Sequence, residues 1–460
     1  MEDTTYDVVI CGAGIAGIAA AYHLTAVHKL GKVLLIDEGA PLSLTSDKST
    51  ECYRNWWPGP GDAMVRLMNR SIDILETLAQ ESHNAFNLNR RGYLFATAEE
   101  SRVASFERAA EEAAALGAGD LRRHTGGAGE PPYIPAHATG YENQLDGADL
   151  ITDPRLIRAH FPYLAQDTVA VLHARRCGWF SAQQLGTLLL DLAVKSGAHV
   201  LRAQLTGVEV EGGRVSSVRL DTENGAQTVS TRHLVIAAGP KAAHVARLIG
   251  VELPIYCELH AKVAFQDSLR VVPREAPLLI WTDPQQLAWT EEERDEFTRS
   301  DSPSWLLDEF PSGVHARPEG MGESQVVLVL WTYHTQQVEP TFPPVFDPTY
   351  PEVALRGLAR MIPGLRQYFG RLPRPTVDGG YYAKTVENRP LIGPLPVQGA
   401  WILGALSGFG LMAAAGAGEL LAAHLTSSEL PAYERWFRLE RYEDPQYRAL
   451  LETWGTTGQL

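Results

Sequence analysis

The sequence predicts a chain of two domains, the first α/β with a β-meander attached and the second α+β on an antiparallel sheet. Three observations predict it. Residues 6–11, apolar except for Asp7, are of strand length and run into Gly12-x-Gly14-x-x-Gly17. The turn passes into Ile18–Leu24, a run that suits a buried helix, and Val33-Leu34-Leu35-Ile36 then ends on Asp37 and Glu38, completing a βαβ unit. Short strands at 199–204, 206–211 and 214–221, with turns at Gly212-Gly213 and Glu223-Asn224-Gly225, read as a meander that leads to a buried strand over 233–240. From 252 to 377 the pattern changes to longer strands, at 258–266, 278–282 and 326–334, with long inserts between them. At 460 residues the chain also exceeds one ordinary core.

The βαβ unit carries the first chemical expectation. Glycines at this spacing make a tight turn and let the backbone approach a pyrophosphate at a helix N-terminus, while the acid after the second strand takes a ribose hydroxyl. A formal net charge of −15 argues against nucleic acid or anionic lipid as a main partner. Cys11, Cys52, Cys177 and Cys257 lie far apart with no paired spacing, so neither a disulfide framework nor a metal site is expected. The chain enters its first strand too soon for a signal peptide, and a reducing, cytoplasmic home is the expectation. Residues 401–425 are nearly uncharged and long enough to span a membrane, but they contain five glycines, Glu419 and His424. They read as strand, glycine turn and buried helix, so no transmembrane span is expected.

The remaining elements follow in order. After Asp37, a polar stretch containing Ser49 and Thr50 runs into Arg54-Asn55-Trp56-Trp57-Pro58-Gly59, a loop whose composition is of the kind that carries function. Helices are expected over 62–83, 99–116, 182–196 and 352–361, a short strand at 92–96, and irregular chain over 117–148. Residues 283–325, charged and broken by prolines, read as a lid, a partner surface or a partly disordered insert. The expected division is 1–91, 150–251 and 378–428 for the first domain, and 92–149 with 252–377 for the second. Residues 429–460 form a tail packed on the first.

These residues resemble the D-amino-acid oxidase superfamily of FAD-dependent oxidoreductases, which includes glycine oxidase, monomeric sarcosine oxidase and the dimethylglycine and sarcosine dehydrogenases. The resemblance spans nearly the whole chain. It rests on Gly12, Gly14 and Gly17 with Asp37, Ser49-Thr50, Gly178-Trp179-Phe180, the strand Val235–Gly239, Asn388–Pro394 and Leu403–Leu411. It implies a Rossmann-like FAD domain and a substrate domain. It also implies that FAD, held without a covalent bond, touches Gly12, Ala13, Gly14, Ile15, Ala16, Gly17, Asp37, Glu38, Ser49, Thr50, Val208, Ala238 and Gly239. The second glycine turn, Gly404, Gly408, Phe409, Gly410, Leu411 and Met412, would face the flavin ring. A thioether link through Cys52 is the less common alternative.

The implied reaction is oxidation of the C–N bond of an amino acid or small secondary amine by hydride transfer to flavin N5, followed by hydrolysis of the imine. Arg54 and Arg389 are the expected partners for a substrate carboxylate, because guanidinium binds carboxylate in a bidentate way. Glu258 and His260 fall two apart on a strand, hence on one face, and His260 is the third expected catalytic residue. Trp56, Trp57, Trp331 and Tyr333 are expected aromatic walls. The resemblance places a lysine where this chain has Met412 and a histidine where it has Phe409. The missing cation shifts the expected acceptor from oxygen toward a quinone or an electron-transfer protein. A flavin monooxygenase and a flavoprotein with a non-catalytic assembly role are the alternatives.

Overall fold

The apolar runs of the βαβ unit form its two strands, Thr5–Cys11 and Val33–Asp37, paired in parallel across the helix Ile15–Tyr22. In this computed structural model, residues 5–299, 303–455 and 458 are described. The first sheet sets strands in the spatial order 198–202, 33–37, 5–11, 230–236 and 400–404, all parallel, with Leu391–Pro394 antiparallel at the edge. The meander is not a separate set of short strands. Ala198–Glu211 is one continuous 14-residue strand. Its first half belongs to the parallel sheet and its second half pairs with Arg214–Thr222. Gly225–Ile236 returns in the same way. Polar residues at Thr206 and Glu209, which suggest a break, sit on the solvent face of a strand that does not stop.

The second sheet has ten strands and is mostly antiparallel. Its sheet membership departs from the expected boundaries. Ala148–Ile151 and Ala170–Ala174 join it beside Tyr93–Thr97, and Thr376–Lys384 pairs with Tyr256–Gln266 from Tyr256 to Ala264. Residues 117–148 contribute the strand Leu121–His124. The stretch 283–325 is no detached insert. Its end, His315–Glu319, is an interior strand between Leu278–Trp281 and Val326–Leu330, and it lacks the usual apolar alternation because His315 and Arg317 are buried polar groups.

The segment of membrane-span length is a core element. The helix Gly410–Thr426 packs between Ile15–Tyr22 and Ala63–Glu81. An added Cβ on Gly418 would stand 2.9 Å from the backbone of Ala19, so only glycine permits this approach. Among the described residues this is the one helix long and apolar enough to cross a membrane, and 72% of its window is buried in the protein. Residues 429–455 close over the same layer, where Arg441 binds the buried carboxylate of Glu387 at 2.7 Å.

Candidate active site

Two cavities meet at Tyr382 and Gly408. The larger, about 530 Å³, runs from the first glycine turn to the second. Gly12 has φ +114°, and an added Cβ would lie 2.3 Å from the carbonyl oxygen of Ala237; one on Gly17 would lie 1.9 Å from that of Gly12. The turn is therefore wedged between two strands and its own helix. Asp37 fastens it, its carboxylate accepting from the amides of Ala13 at 2.7 Å and Gly39 at 2.8 Å. The helices Ile15–Tyr22 and Gly410–Thr426 both begin without a cap from the N-cap side chain and without an acid in the first turn, though the Ile15 amide donates to Ser46 Oγ at 3.0 Å. Their amide groups and positive ends suit a ligand carrying phosphate at one end and an electron-rich ring at the other.

Gly12, Gly14, Ile15, Ala16, Asp37, Glu38, Ser49, Ala238, Gly239, Gly404, Gly408, Gly410 and Leu411 line this cavity. Ala13 and Gly17 lie directly beneath it, buried. Val208 does not reach it. Its side chain is in the core, and Ala203, Gln204 and Leu205 stand at the wall, because the continuous strand crosses the cavity before it reaches the meander.

The smaller cavity, about 50 Å³, is lined by Thr50, Cys52, Arg54, Trp57, His260, Phe409 and Met412 among others. Thr50, Phe409 and Met412, expected at the cofactor, thus face this side, as does Cys52. Burial pushes the Cys52 thiol up, and it donates to the carbonyl of Thr50, which makes it a protonated wall group and a poor attachment point. Arg54 is 6% exposed, its guanidinium stacks 4.4 Å from the Trp57 ring centroid, and its Nε has no hydrogen-bond partner among the described residues. Its Nη2 donates to the carbonyl of Gly458.

Four expected residues are elsewhere. Arg389 lies behind the wall, donating to the carbonyls of Pro58 and Gly59 at 3.2 and 3.4 Å, with Trp454 stacked on it at 4.9 Å. Burial lowers it to about 10. Trp331 fills the core of the second sheet, and Tyr333 sits among Trp305, Phe310 and Tyr350. Thr332, between them, faces the cavity, as alternation along an extended chain requires. Trp56 is buried and lines neither cavity.

His260 does stand on one face with Glu258. Its Nε2 lies 3.0 Å from Glu258 Oε2 and its Nδ1 2.9 Å from Thr332 Oγ1, and its ring stacks 3.9 Å from that of Tyr382. Lys384 binds the same Glu258 oxygen at 2.9 Å. Burial raises Glu258, but the bonds from His260 and Lys384 outweigh it and hold the carboxyl below its ordinary value. Burial lowers His260, with Glu258 opposing. Sequence reasoning missed Thr332, Tyr382, Lys262 and His315. His315 lines the cavity with burial lowering it to about 4, and Lys262 donates to the carbonyl of Ser49 at 3.0 Å. Period-two alternation from His260 would have found Lys262; nothing local marks the other three.

This geometry, a dinucleotide-sized groove joined to a small charged cavity, has relatives. The DAO family model, described as FAD dependent oxidoreductase, matches residues 7–424. The β subunit of sarcosine oxidase from Rhodobacter capsulatus is 25% identical over 256 residues, covering 54% of this chain and 53% of that protein. Mitochondrial sarcosine dehydrogenase from Mus musculus is 25% identical over 269 residues, 56% of this chain and 25% of that protein. The matches thus span about half or less of those relatives' own lengths. Among solved structures, L-proline dehydrogenase from P. horikoshii superposes with a TM-score of 0.72 at 20% identity, over 96% of this chain and 98% of that one. Glycine oxidase from Geobacillus kaustophilus gives 0.70 at 17% identity, over 95% and 99%. These structural likenesses show the fold. The family match carries the assignment: the chain belongs to the DAO family of FAD dependent oxidoreductases.

Proposed function

We propose that the protein oxidises the C–N bond of an amino acid or a small secondary amine that carries a carboxylate. The observation that supports this most is Arg54, a buried guanidinium whose Nε has no partner among the described residues, facing a cavity that joins the FAD groove at Tyr382 and Gly408. FAD fits the larger groove without a covalent bond: the glycine turn and the helix Ile15–Tyr22 would hold the pyrophosphate, Asp37 the ribose end, and the Gly404–Met412 turn the ring. When bound, FAD supplies the acceptor for the hydride leaving the substrate carbon.

The chain's own residues do the rest. Arg54 orients the substrate through its carboxylate, and Trp57, Phe409 and Tyr382 wall the cavity against water. The names of the sarcosine- and glycine-oxidising relatives agree with a small amino-acid substrate. The test is anaerobic addition of glycine, sarcosine, proline, D-amino acids and N-methyl amino acids to the holoenzyme. Bleaching of the flavin by one of them supports the reading, and a flavin left oxidised by all of them overturns it.

Lys262 bears on the acceptor. Its half-buried ammonium donates to the carbonyl of Ser49, a residue of the larger cavity, and is a positive charge of the kind that Met412 does not supply. It supports oxygen as an acceptor, since a fixed cation stabilises negative charge developing on oxygen. Lys262→Met is expected to slow the return of yellow colour in air by roughly ten-fold or more, with anaerobic bleaching little changed. Stopped-flow mixing of the bleached enzyme with aerated buffer measures it.

The tail bears on access. A cavity of about 50 Å³ takes only a water or two, and Gly458 occupies Arg54 and packs against the Trp57 ring. Substrate carboxylate and the Gly458 carbonyl compete for the same guanidinium. A chain ending at Trp454 is expected to bind substrate several-fold more tightly, read as the concentration giving half-maximal bleaching rate.

A further inference from the structure

We propose that Thr332, His260 and Glu258 form a relay that removes the ammonium proton from the substrate nitrogen, with the Thr332 hydroxyl as the group that touches it. The inference rests on the amine reading above. A carbon that loses hydride beside nitrogen needs the nitrogen lone pair, yet a free aliphatic amine is protonated at neutral pH, with a pKa of about 10. The cavity has room for only a water or two, and Thr332 is among its polar lining groups, so a protein group is placed to take that proton.

The hydrogen bonds fix which atoms can act. Glu258 is held ionised by His260 and Lys384, and a carboxylate only accepts. Nε2 of neutral His260 therefore carries its proton, and Nδ1 is bare. Nδ1 accepts from Thr332 Oγ1 at 2.9 Å, which leaves the hydroxyl lone pairs open to the cavity. In the step, the ammonium N–H bond breaks and an O–H bond forms at Thr332. The original Thr332 proton passes at the same time to His260 Nδ1. The products are a neutral amine, an unchanged threonine and an imidazolium paired with the Glu258 carboxylate. No electrons change hands.

The charged and titratable groups around His260 allow this. Glu258 on its own strand faces it directly. The strand Thr376–Lys384 brings the Tyr382 ring and Lys384, and His315 approaches from the strand beyond Val326–Leu330. Arg54 stands across the cavity near His315. His315 is no substitute acceptor. Its Nδ1 lies 2.8 Å from the carbonyl of Gly313, so it donates there, and among the described residues no carboxylate pairs with it to hold an imidazolium. Burial keeps His260 neutral near pH 7, so it is ready to accept, and protonation at lower pH disables it.

The test follows the anaerobic bleaching rate of the holoenzyme against pH, with the panel amine that bleaches the wild type fastest as probe. Thr332→Val is expected to lower the rate near pH 7 by roughly 100-fold and to recover toward wild type above about pH 10, where the amine is already neutral. Thr332→Ser should restore the wild-type profile, and His260→Gln should behave as Thr332→Val. A uniform loss at every pH in both Thr332→Val and His260→Gln, or no loss, overturns the relay and leaves the amine reading standing. If no amine bleaches the wild type, the amine reading fails and the relay falls with it.

Discussion

Gly12→Ala and Gly17→Ala are expected to give colourless protein. A methyl at Gly12 would sit 2.3 Å from a backbone oxygen at a φ of +114°, and one at Gly17 only 1.9 Å from the Gly12 carbonyl. Neither obstacle is a movable side chain, so the turn itself must open. The combined strain and overpacking costs about 2–5 kcal/mol. Opening the turn also breaks the Ala13–Asp37 bond that closes it and displaces the amides at the head of the helix Ile15–Tyr22. Flavin absorbance after purification with added FAD, together with a melting curve, measures both losses. Retained colour at wild-type stability would show that the turn does not hold the cofactor.

Arg54→Ala is expected to weaken substrates bearing a carboxylate by about 2–4 kcal/mol, on the order of 30- to 1,000-fold in Kd. The guanidinium is buried, stacked on Trp57 and, among the described residues, paired with no acid. Binding a carboxylate there relieves an uncompensated charge rather than exchanging one solvated pair for another. Arg54→Lys should recover part of the loss, since a point charge replaces a planar fork. Amines without a carboxylate should be little affected. The half-saturating concentration in anaerobic bleaching is the measurement, and an equal effect on both substrate classes would show that Arg54 acts only on the fold.

The two cavities differ in how legible they were. The cofactor groove came from contiguous segments, in which spacing and backbone type report function directly: Gly12 to Asp37 is one βαβ unit, and Ser407 to Gly418 one turn and helix. Glycine has no alternative reading when several recur at turn and helix-packing positions. The substrate cavity was assembled from many distant stretches, among them residues 50–57, 93, 260, 315, 332, 382 and 408–412. His260 was visible because Glu258 shares its face two residues away. Trp331 and Tyr333 were named in place of Thr332 because large aromatic residues look like walls, while the phase of alternation that buries them in the second core depends on pairing with other strands. Arg389 looked equivalent to Arg54, and only its position behind Pro58 and Gly59 separates them.

The sequence by itself therefore determined the cofactor class and the general fold, because these rest on local backbone requirements that few residue types satisfy. The tertiary structure alone decided which polar groups face the substrate, where the strand His315–Glu319 lies, and that Gly458 reaches Arg54 from the far end of the chain. Those contacts join residues up to 404 positions apart. Their register is set by the packing of two sheets, and no short window of sequence contains it.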